Sequence, residues 1–270
     1  MTQAPHHATP HTDDAHHTVV GIVTAAGAGT RLGYSMPKAL VPLDPENPDT
    51  ALVVEAVRRM LGVEGMAELV VTAPQEHRAL CATLLARCFP DHGERITVVT
   101  GGATRQASVA CGVEALAARS ARSDTAKPVI VLVHDAARVL APTAMMQRLV
   151  DTVAAGHDAV IPVLPVADSI VRVGAARGTE NYPVDGAVDR RDLRIVQTPQ
   201  AFPFPVLAQA HAAFHHEGRT EITAFTDDAS LVAAHGHNVL AVIGDHHAAK
   251  VTTPADLVLA RLTYQQETHP

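Results

Sequence analysis

The sequence predicts an α/β fold, a doubly wound and mostly parallel sheet of Rossmann-like kind with a β-hairpin arm projecting from it. Three observations predict it. From Val19 onward, short β-branched or Leu/Val-rich runs alternate with longer, alanine-rich amphipathic runs. The short runs are apolar throughout, as strands covered on both faces are. Glycine-bearing turns directly follow several of them, at the strand ends where helix N-termini and ligands gather in such sheets. Right-handed crossovers then wind the layer in both directions.

Taken in order, the apolar run Val19–Thr24 reads as the first strand and Ala51–Leu61 as the first helix. Glu68–Thr72, Ile96–Val99, Val129–Val133 and Ala159–Leu164 repeat the strand pattern. Glu76–Cys88, Arg105–Ala117 and Pro142–Ala154 repeat the helix pattern between them. Further on, helices are expected at Pro205–His215 and Asp228–Ala234, a strand at Val239–Ile243 and a terminal helix from Pro254. Two segments break the alternation. Residues 1–18 carry five histidines, His6, His7, His11, His16 and His17, with Pro and Thr and no apolar period. They read as a disordered tail, for which metal binding is the less economical use. Residues 166–193, within the domain at 19–265, offer short alternating strands and glycine-bearing turns without helical period, and read as the arm. An arm with little core of its own packs on something, and a second subunit is the economical candidate.

The chain's 21 Lys plus Arg against 28 Asp plus Glu give a formal net charge of −7, which argues against a nucleic-acid partner. No run of 18 apolar residues and no basic-then-apolar start occurs, so no membrane partner and a cytoplasmic setting are expected. Cys81 and Cys88, seven apart on an expected helix, would lie roughly 10 Å apart along its axis, beyond disulfide reach, and reduced thiols are expected. With no Trp and 3% aromatics, a ligand base would rest on backbone and aliphatic groups.

Chemistry concentrates at the strand ends. After the first strand comes Ala25-Ala26-Gly27-Ala28-Gly29-Thr30-Arg31-Leu32-Gly33, then Met36-Pro37-Lys38. Small residues let backbone N–H groups turn toward an anion while Arg31 and Lys38 add charge, a polyphosphate cradle. Its spacing is neither the dinucleotide fingerprint nor a Walker loop, and a tight turn with two solvated cations is the alternative. After the third strand, Gly101-Gly102-Ala103-Thr104-Arg105-Gln106-Ala107-Ser108 offers bare backbone to a flat group and the hydroxyl of Ser108 inside a helix, or else an ordinary capped loop. In Val131-Leu132-Val133-His134-Asp135-Ala136-Ala137-Arg138 a carboxylate ends an apolar strand, suited to hold Mg2+ beside nucleotide phosphates or to cap a helix.

In this order and spacing, AAGAGTRLGYSMPK, GGATRQAS, LVHDAAR, Asp168-Ser169, VDRRDL, VQTPQAF, FTDDAS and AKVTTPADL closely resemble the 2-C-methyl-D-erythritol 4-phosphate cytidylyltransferases of the non-mevalonate isoprenoid pathway, over about Val19 to Leu262. The resemblance implies a nucleotidyltransferase fold that moves CMP from CTP to the polyol phosphate with Mg2+ or another divalent cation. It implies that the first loop, with Ala25, Ala26, Gly27 and Gly29, wraps the triphosphate, that Arg31 and Lys38 stabilise charge at the α-phosphate, and that Lys250 faces the reacting phosphates. Gly102 and Ser108 would read the cytosine, Gly101 would belong to the same CTP site, and Asp135 would lie near the metal. Asp168, Ser169 and Arg190 in the arm would hold the sugar phosphate of a neighbouring subunit in a homodimer, with Thr226 from the home subunit and Thr198 near the arm's base. Departures are Ser169 where many members carry Thr, Val139 where Pro is usual, Ala248-Ala249 where Asn-Ile is frequent, and Ala103 where many relatives have a charged residue. The second-last of these leaves open whether Asp245 approaches the metal.

Such chemistry needs positioning and neutralisation of two polyanions more than acid–base groups, so the histidines, including His215-His216 and His246-His247, are expected at the surface. Two rivals are a cytidylyltransferase for another polyol phosphate such as ribitol 5-phosphate and a non-catalytic nucleotide-binding protein. The joint presence of Arg31, Lys38 and Asp135 argues against the second.

Overall fold

The computed structural model describes residues 17–27, 32–34, 36–120, 127–175 and 181–268. The histidine-rich tail up to His16, and Gly29 and Arg31 of the first loop, lie outside the described residues.

Val19, Val20, Ile22 and Val23, almost fully buried, make β1 (Thr18–Thr24) an interior strand of the sheet. It pairs in parallel with β2 (Met66–Ala73) on one side and β4 (Val129–Asp135) on the other. The main-sheet order is β10-β5-β9-β4-β1-β2-β3, with β3 at Ile96–Thr100, β5 at Ala159–Pro165, β9 at Gln200–Pro203 and β10 at Val239–Ile243. Side chains leave a strand alternately to its two faces, and the cores divide accordingly. Val19 and Val23 pack with α1 (Leu52–Leu61), α2 (Arg78–Cys88) and α4 (Thr143–Ala154), whereas Val20 and Ile22 pack with α3 (Arg105–Ser120), α5 (Phe204–Ala213) and α6 (Asp228–Ala234). A third cluster joins Leu32, Val41 and Leu52 to Leu257 and Ala260 of α7 (Pro254–Thr268), so the first loop is anchored on the terminal helix.

The expected elements are all found, with bounds shifted by a few residues. β1 starts at Thr18, inside the expected tail, and α2 starts at Arg78 because Gln75–His77 form a separate short 3-10 helix after Pro74. Two strands go beyond the sequence reading. β8 (Arg194–Val196) pairs antiparallel with β5, and β9 runs antiparallel between β4 and β5. Phe202 and Ala201 are fully buried there, and burying a Phe is worth about 2–3 kcal/mol, enough to seat a four-residue strand in mid-sheet. The sheet is therefore mixed at this point.

The arm is a hairpin of β6 (Ile170–Val173) and β7 (Val184–Val188), antiparallel in a two-stranded sheet of its own. Val171, Val173, Tyr182 and Val184 on it are exposed. Cys81, Cys88 and Cys111 are free, and burial pushes the Cys81 thiol up to about 11. Among the described residues, no helix is long and apolar enough to cross a membrane.

Candidate functional site

The parallel strands β1, β3 and β4 deliver their following loops to one edge of the sheet, and a cavity of about 400 Å3 opens there. Ala25, Ala26 and Gly27 line it after β1, Gly102, Ala103, Thr104 and Ser108 after β3, and Asp135 at the end of β4. Lys38 and Lys250 line it as well. A second cavity of about 280 Å3 adjoins it and is lined by Arg138, Thr198, Thr226 and Asp227. Arg105, Asp135 and Lys250 border both.

Asp135 is the hinge of this arrangement. Its Oδ1 accepts from Arg105 Nε at 2.9 Å and from Thr24 Oγ1 at 3.2 Å, and its Oδ2 accepts from Lys250 Nζ at 2.7 Å. Its own backbone N–H donates to Thr198 Oγ1 at 3.0 Å. Burial alone would raise the Asp135 carboxyl, but the charges of Arg105 and Lys250 outweigh it and hold the group well below the usual carboxylate range. No helix starts at Asp135, so its side chain is not a cap.

Arg105 is itself held from behind. Its Nη1 donates to Asp228 Oδ2 at 2.7 Å, and Asp228 Oδ1 lies 3.1 Å from His211 Nε2. Burial raises the Asp228 carboxyl, but Arg105 and His211 together bring it below its ordinary value. His211 and His134 correct the expectation that histidines sit at the surface: both are buried, whereas His215, His216, His246 and His247 are exposed. His211 is buried because it partners a buried carboxylate, and His134 because it lies on a central strand, with Nδ1 3.1 Å from Thr198 Oγ1.

Lys38 opens a 3-10 turn and its Nζ donates to the Val251 carbonyl at 2.9 Å, tying the first loop to the segment that presents Lys250. Gly101 and Gly102 serve the packing of this edge. A Cβ on Gly101 would stand 2.5 Å from the Ala26 Cβ, and one on Gly102 would stand 2.4 Å from the Ala107 Cβ. Only Gly102 of the pair reaches the cavity. Ser108 Oγ donates back to the Thr104 carbonyl at 2.9 Å. Asp245 lines neither cavity and accepts from the His247 N–H at 2.8 Å. Asp168, Ser169 and Arg190 are exposed on the arm and line neither cavity of their own chain, and Arg190 donates to the carbonyl of Ala167.

Sequence reasoning did not single out Arg105, Asp228, His211, Arg138 or Glu221. Arg138 spans from the Ala248 carbonyl at 2.8 Å to the Val196 carbonyl at 3.0 Å. The signal for Arg105 and Asp228 was present, since both sit inside GGATRQAS and FTDDAS.

Whether a divalent cation suits this site turns on its donors. Among the described residues no three His, Cys, Asp or Glu side chains gather as a metal cage. Mg2+ does not need one, because it keeps several waters and takes one or two carboxylates with substrate phosphates. The ionised Asp135, on the wall of both cavities with the Thr24 hydroxyl beside it, fits that role.

A family model described as 2-C-methyl-D-erythritol 4-phosphate cytidylyltransferase matches residues 19–266. The 2-C-methyl-D-erythritol 4-phosphate cytidylyltransferase of Corynebacterium diphtheriae is 41% identical over 249 residues, covering 92% of this chain and 94% of its own. That of Rhodococcus opacus is 40% identical over 251 residues, covering 93% and 97%. Among solved structures, the Thermus thermophilus 2-C-methyl-D-erythritol 4-phosphate cytidylyltransferase superposes with a TM-score of 0.66 at 32% identity, covering 90% of this chain and 98% of its own.

Proposed function

The chain belongs to the 2-C-methyl-D-erythritol 4-phosphate cytidylyltransferase family, and from that premise we infer how its own residues carry the reaction. The enzyme transfers CMP from CTP to 2-C-methyl-D-erythritol 4-phosphate in isoprenoid precursor biosynthesis, releasing pyrophosphate. The observation that carries the assignment of roles is the shared wall of two adjoining cavities, where Asp135, Arg105 and Lys250 face both at once.

CTP occupies the larger cavity, with its base toward Gly102 and Ser108 and its triphosphate toward the first loop, Arg31 and Lys38. The polyol phosphate occupies the second, beside Thr198 and Thr226. An oxygen of the polyol phosphate, anionic at neutral pH, attacks the α-phosphorus. A new P–O bond forms there while the bond to the bridging oxygen breaks, and pyrophosphate leaves with the electron pair. No proton has to be removed from the attacking oxygen, so positioning and charge dominate. Lys38 and Lys250 aim fixed positive charge at the space where negative charge builds. Lys250 starts from a pair with Asp135, and its half-exposed side chain can turn to the phosphates. Mg2+ held by Asp135 and phosphate oxygens would supply further neutralisation when bound.

The working unit is a homodimer. Asp168, Ser169 and Arg190 find no cavity on their own chain, and the arm that carries them exposes Tyr182 at 55% and Val184 at 64%. Both features suit an arm that reaches the second cavity of a neighbour, with the exposed Arg190 turning from the Ala167 carbonyl to a phosphate. The use of CTP and the free thiols support a cytoplasmic setting, and the acidic charge balance supports no nucleic-acid partner.

Incubation with CTP, Mg2+ and either 2-C-methyl-D-erythritol 4-phosphate or ribitol 5-phosphate, with pyrophosphate followed, tests the function. Release with the first polyol and little with the second is expected. Preference for ribitol 5-phosphate, or no release with either, contradicts it.

A further inference from the structure

Asp135 is held by two cations, and the two are held differently. Arg105 bonds to Oδ1 at 2.9 Å and is gripped from behind by Asp228 at 2.7 Å, with His211 on the far oxygen of Asp228. Its side chain is 21% exposed. Lys250 bonds to Oδ2 at 2.7 Å, its side chain is 41% exposed, and among the described residues its Nζ makes no other hydrogen bond or ion pair. One cation is built into the wall and the other rests on it.

A divalent cation reaches Asp135 most readily through Oδ2, because Oδ1 already accepts from both Arg105 and Thr24. Lone pairs do not forbid Lys250 and the cation from sharing Oδ2, but charge opposes it. With Mg2+ at about 2.1 Å and the ammonium at 2.7 Å from one oxygen, two positive centres would stand about 4 Å apart. Each weakens the other's hold. Lys250 is the one able to leave, since it gives up a single bond and its flexible stem can carry the charge elsewhere in the cavity it lines. The phosphates of a nucleotide offer that charge a new partner and offer the cation further oxygens, so they favour the exchange from both sides.

We propose that Lys250 and the divalent cation exchange at Asp135 Oδ2: Lys250 occupies the carboxylate until a nucleotide arrives with the cation, and then carries its charge to the phosphates. Arg105 stays, anchored by Asp228, and the carboxylate keeps its orientation while its second partner changes. The cation therefore enters with the nucleotide rather than before it. The proposal rests on the assignment of the cavity to CTP and of Asp135 to the cation, and adds the coupling between metal entry and the release of Lys250.

The test measures Mn2+ binding without nucleotide, from the electron paramagnetic resonance signal of free Mn2+, for the parent, Lys250→Met, Lys38→Met, and Lys250→Met combined with Asp135→Asn. Lys250 is half-exposed and Asp135 keeps Arg105 and Thr24 without it, so Lys250→Met is expected to fold. It should bind Mn2+ at least about tenfold more tightly than the parent, as for the loss of a like charge some 4 Å away. Lys38→Met removes a charge from the same cavity, one that lies on the Val251 carbonyl, and should gain less than about threefold. The combined variant should fall back to the parental affinity or below it. With a non-hydrolysable CTP analogue present, the gap between parent and Lys250→Met should narrow. Equal Mn2+ affinity in those two proteins without nucleotide overturns the proposal. So does an equal gain in Lys38→Met, which would show only a general field, a gain that survives Asp135→Asn, which would place the ion elsewhere, or a gap that the analogue leaves unchanged. CTP turnover of the parent is scored separately: intact turnover without the change in Mn2+ binding removes the exchange alone, and absent turnover removes the reading on which it rests.

Discussion

The floor of the nucleotide cavity and the β6–β7 arm both carry charge, and they dispose of it in opposite ways. On the floor, Asp135, Arg105, Asp228 and His211 form one continuous chain with contacts of 2.7–3.1 Å, and the two carboxylates and the imidazole are buried. On the arm, Arg191 pairs with Asp189 in solvent, while Asp168 and Arg190 stand exposed. A buried charge must find its partners inside the chain, whereas an exposed one stays available to a ligand or a second molecule. Substitutions on the floor should therefore register in stability and chemistry together, and those on the arm in the second substrate alone.

The largest expected effect lies deepest. Asp228→Ala leaves Arg105 charged and buried with one carboxylate partner instead of two, and should destabilise by about 3–5 kcal/mol in urea unfolding. A loss below about 1 kcal/mol would mean that the chain of charges does not act as a unit. Lys38→Ala comes next. It removes a charge aimed at the reacting phosphates and should cost at least about two decades of kcat with little change in unfolding midpoint. Near-parental turnover would take Lys38 out of the chemistry.

A third effect is pH-linked and confined to the floor. Burial pushes His134 down to about 4, below the value of about 6.5 expected in the unfolded chain. Between those values the unfolded chain binds more protons, so the contribution of neutral His134 is complete above pH 6.5 and is lost as pH falls toward 4. At up to about 1.4 kcal/mol per pH unit, the parent should lose about 2 kcal/mol between pH 6.5 and pH 5, and His134→Gln should be nearly flat there. Equal slopes in the two proteins would assign the acid sensitivity elsewhere. The smallest effect belongs to the arm: Arg190→Ala should raise KM for the polyol phosphate about tenfold and leave CTP affinity and stability unchanged. A rise in the KM for CTP instead would place Arg190 in the wrong cavity.

The same contrast explains what could be read from the sequence. Runs such as VVGIVT and VIVLVHD announce buried strands because the whole run is apolar, and the motif loops sit at their ends. Lys38, Gly102, Ser108 and Asp135 were legible for that reason and Lys250 through the resemblance to the family, and all five line one cavity. The strand at Gln200–Pro203 was not, because four residues with a proline carry no period and its place was set by partners some 40 and 70 residues earlier in the chain. Arg105 and Asp228, 123 positions apart, look like ordinary surface charges until folding buries them together. Glu221 itself lies in no motif, and the ties from Thr104 and Gln106, with Phe214 and Phe225 packed on the core, bring its segment to the cavity.

The arm's service to a neighbour is tested most directly by mixing Arg190→Ala with Lys38→Ala protein under conditions of subunit exchange. With the polyol phosphate well below its KM each is impaired alone, one in the arm and one in the cavity. In a mixed dimer one site receives both lesions and the other receives none, so activity should return, to about a quarter of the parental value at equal amounts and statistical exchange. If mass spectrometry shows mixed dimers and turnover stays at the level of the separate variants, the arm serves its own subunit and the shared site is refuted.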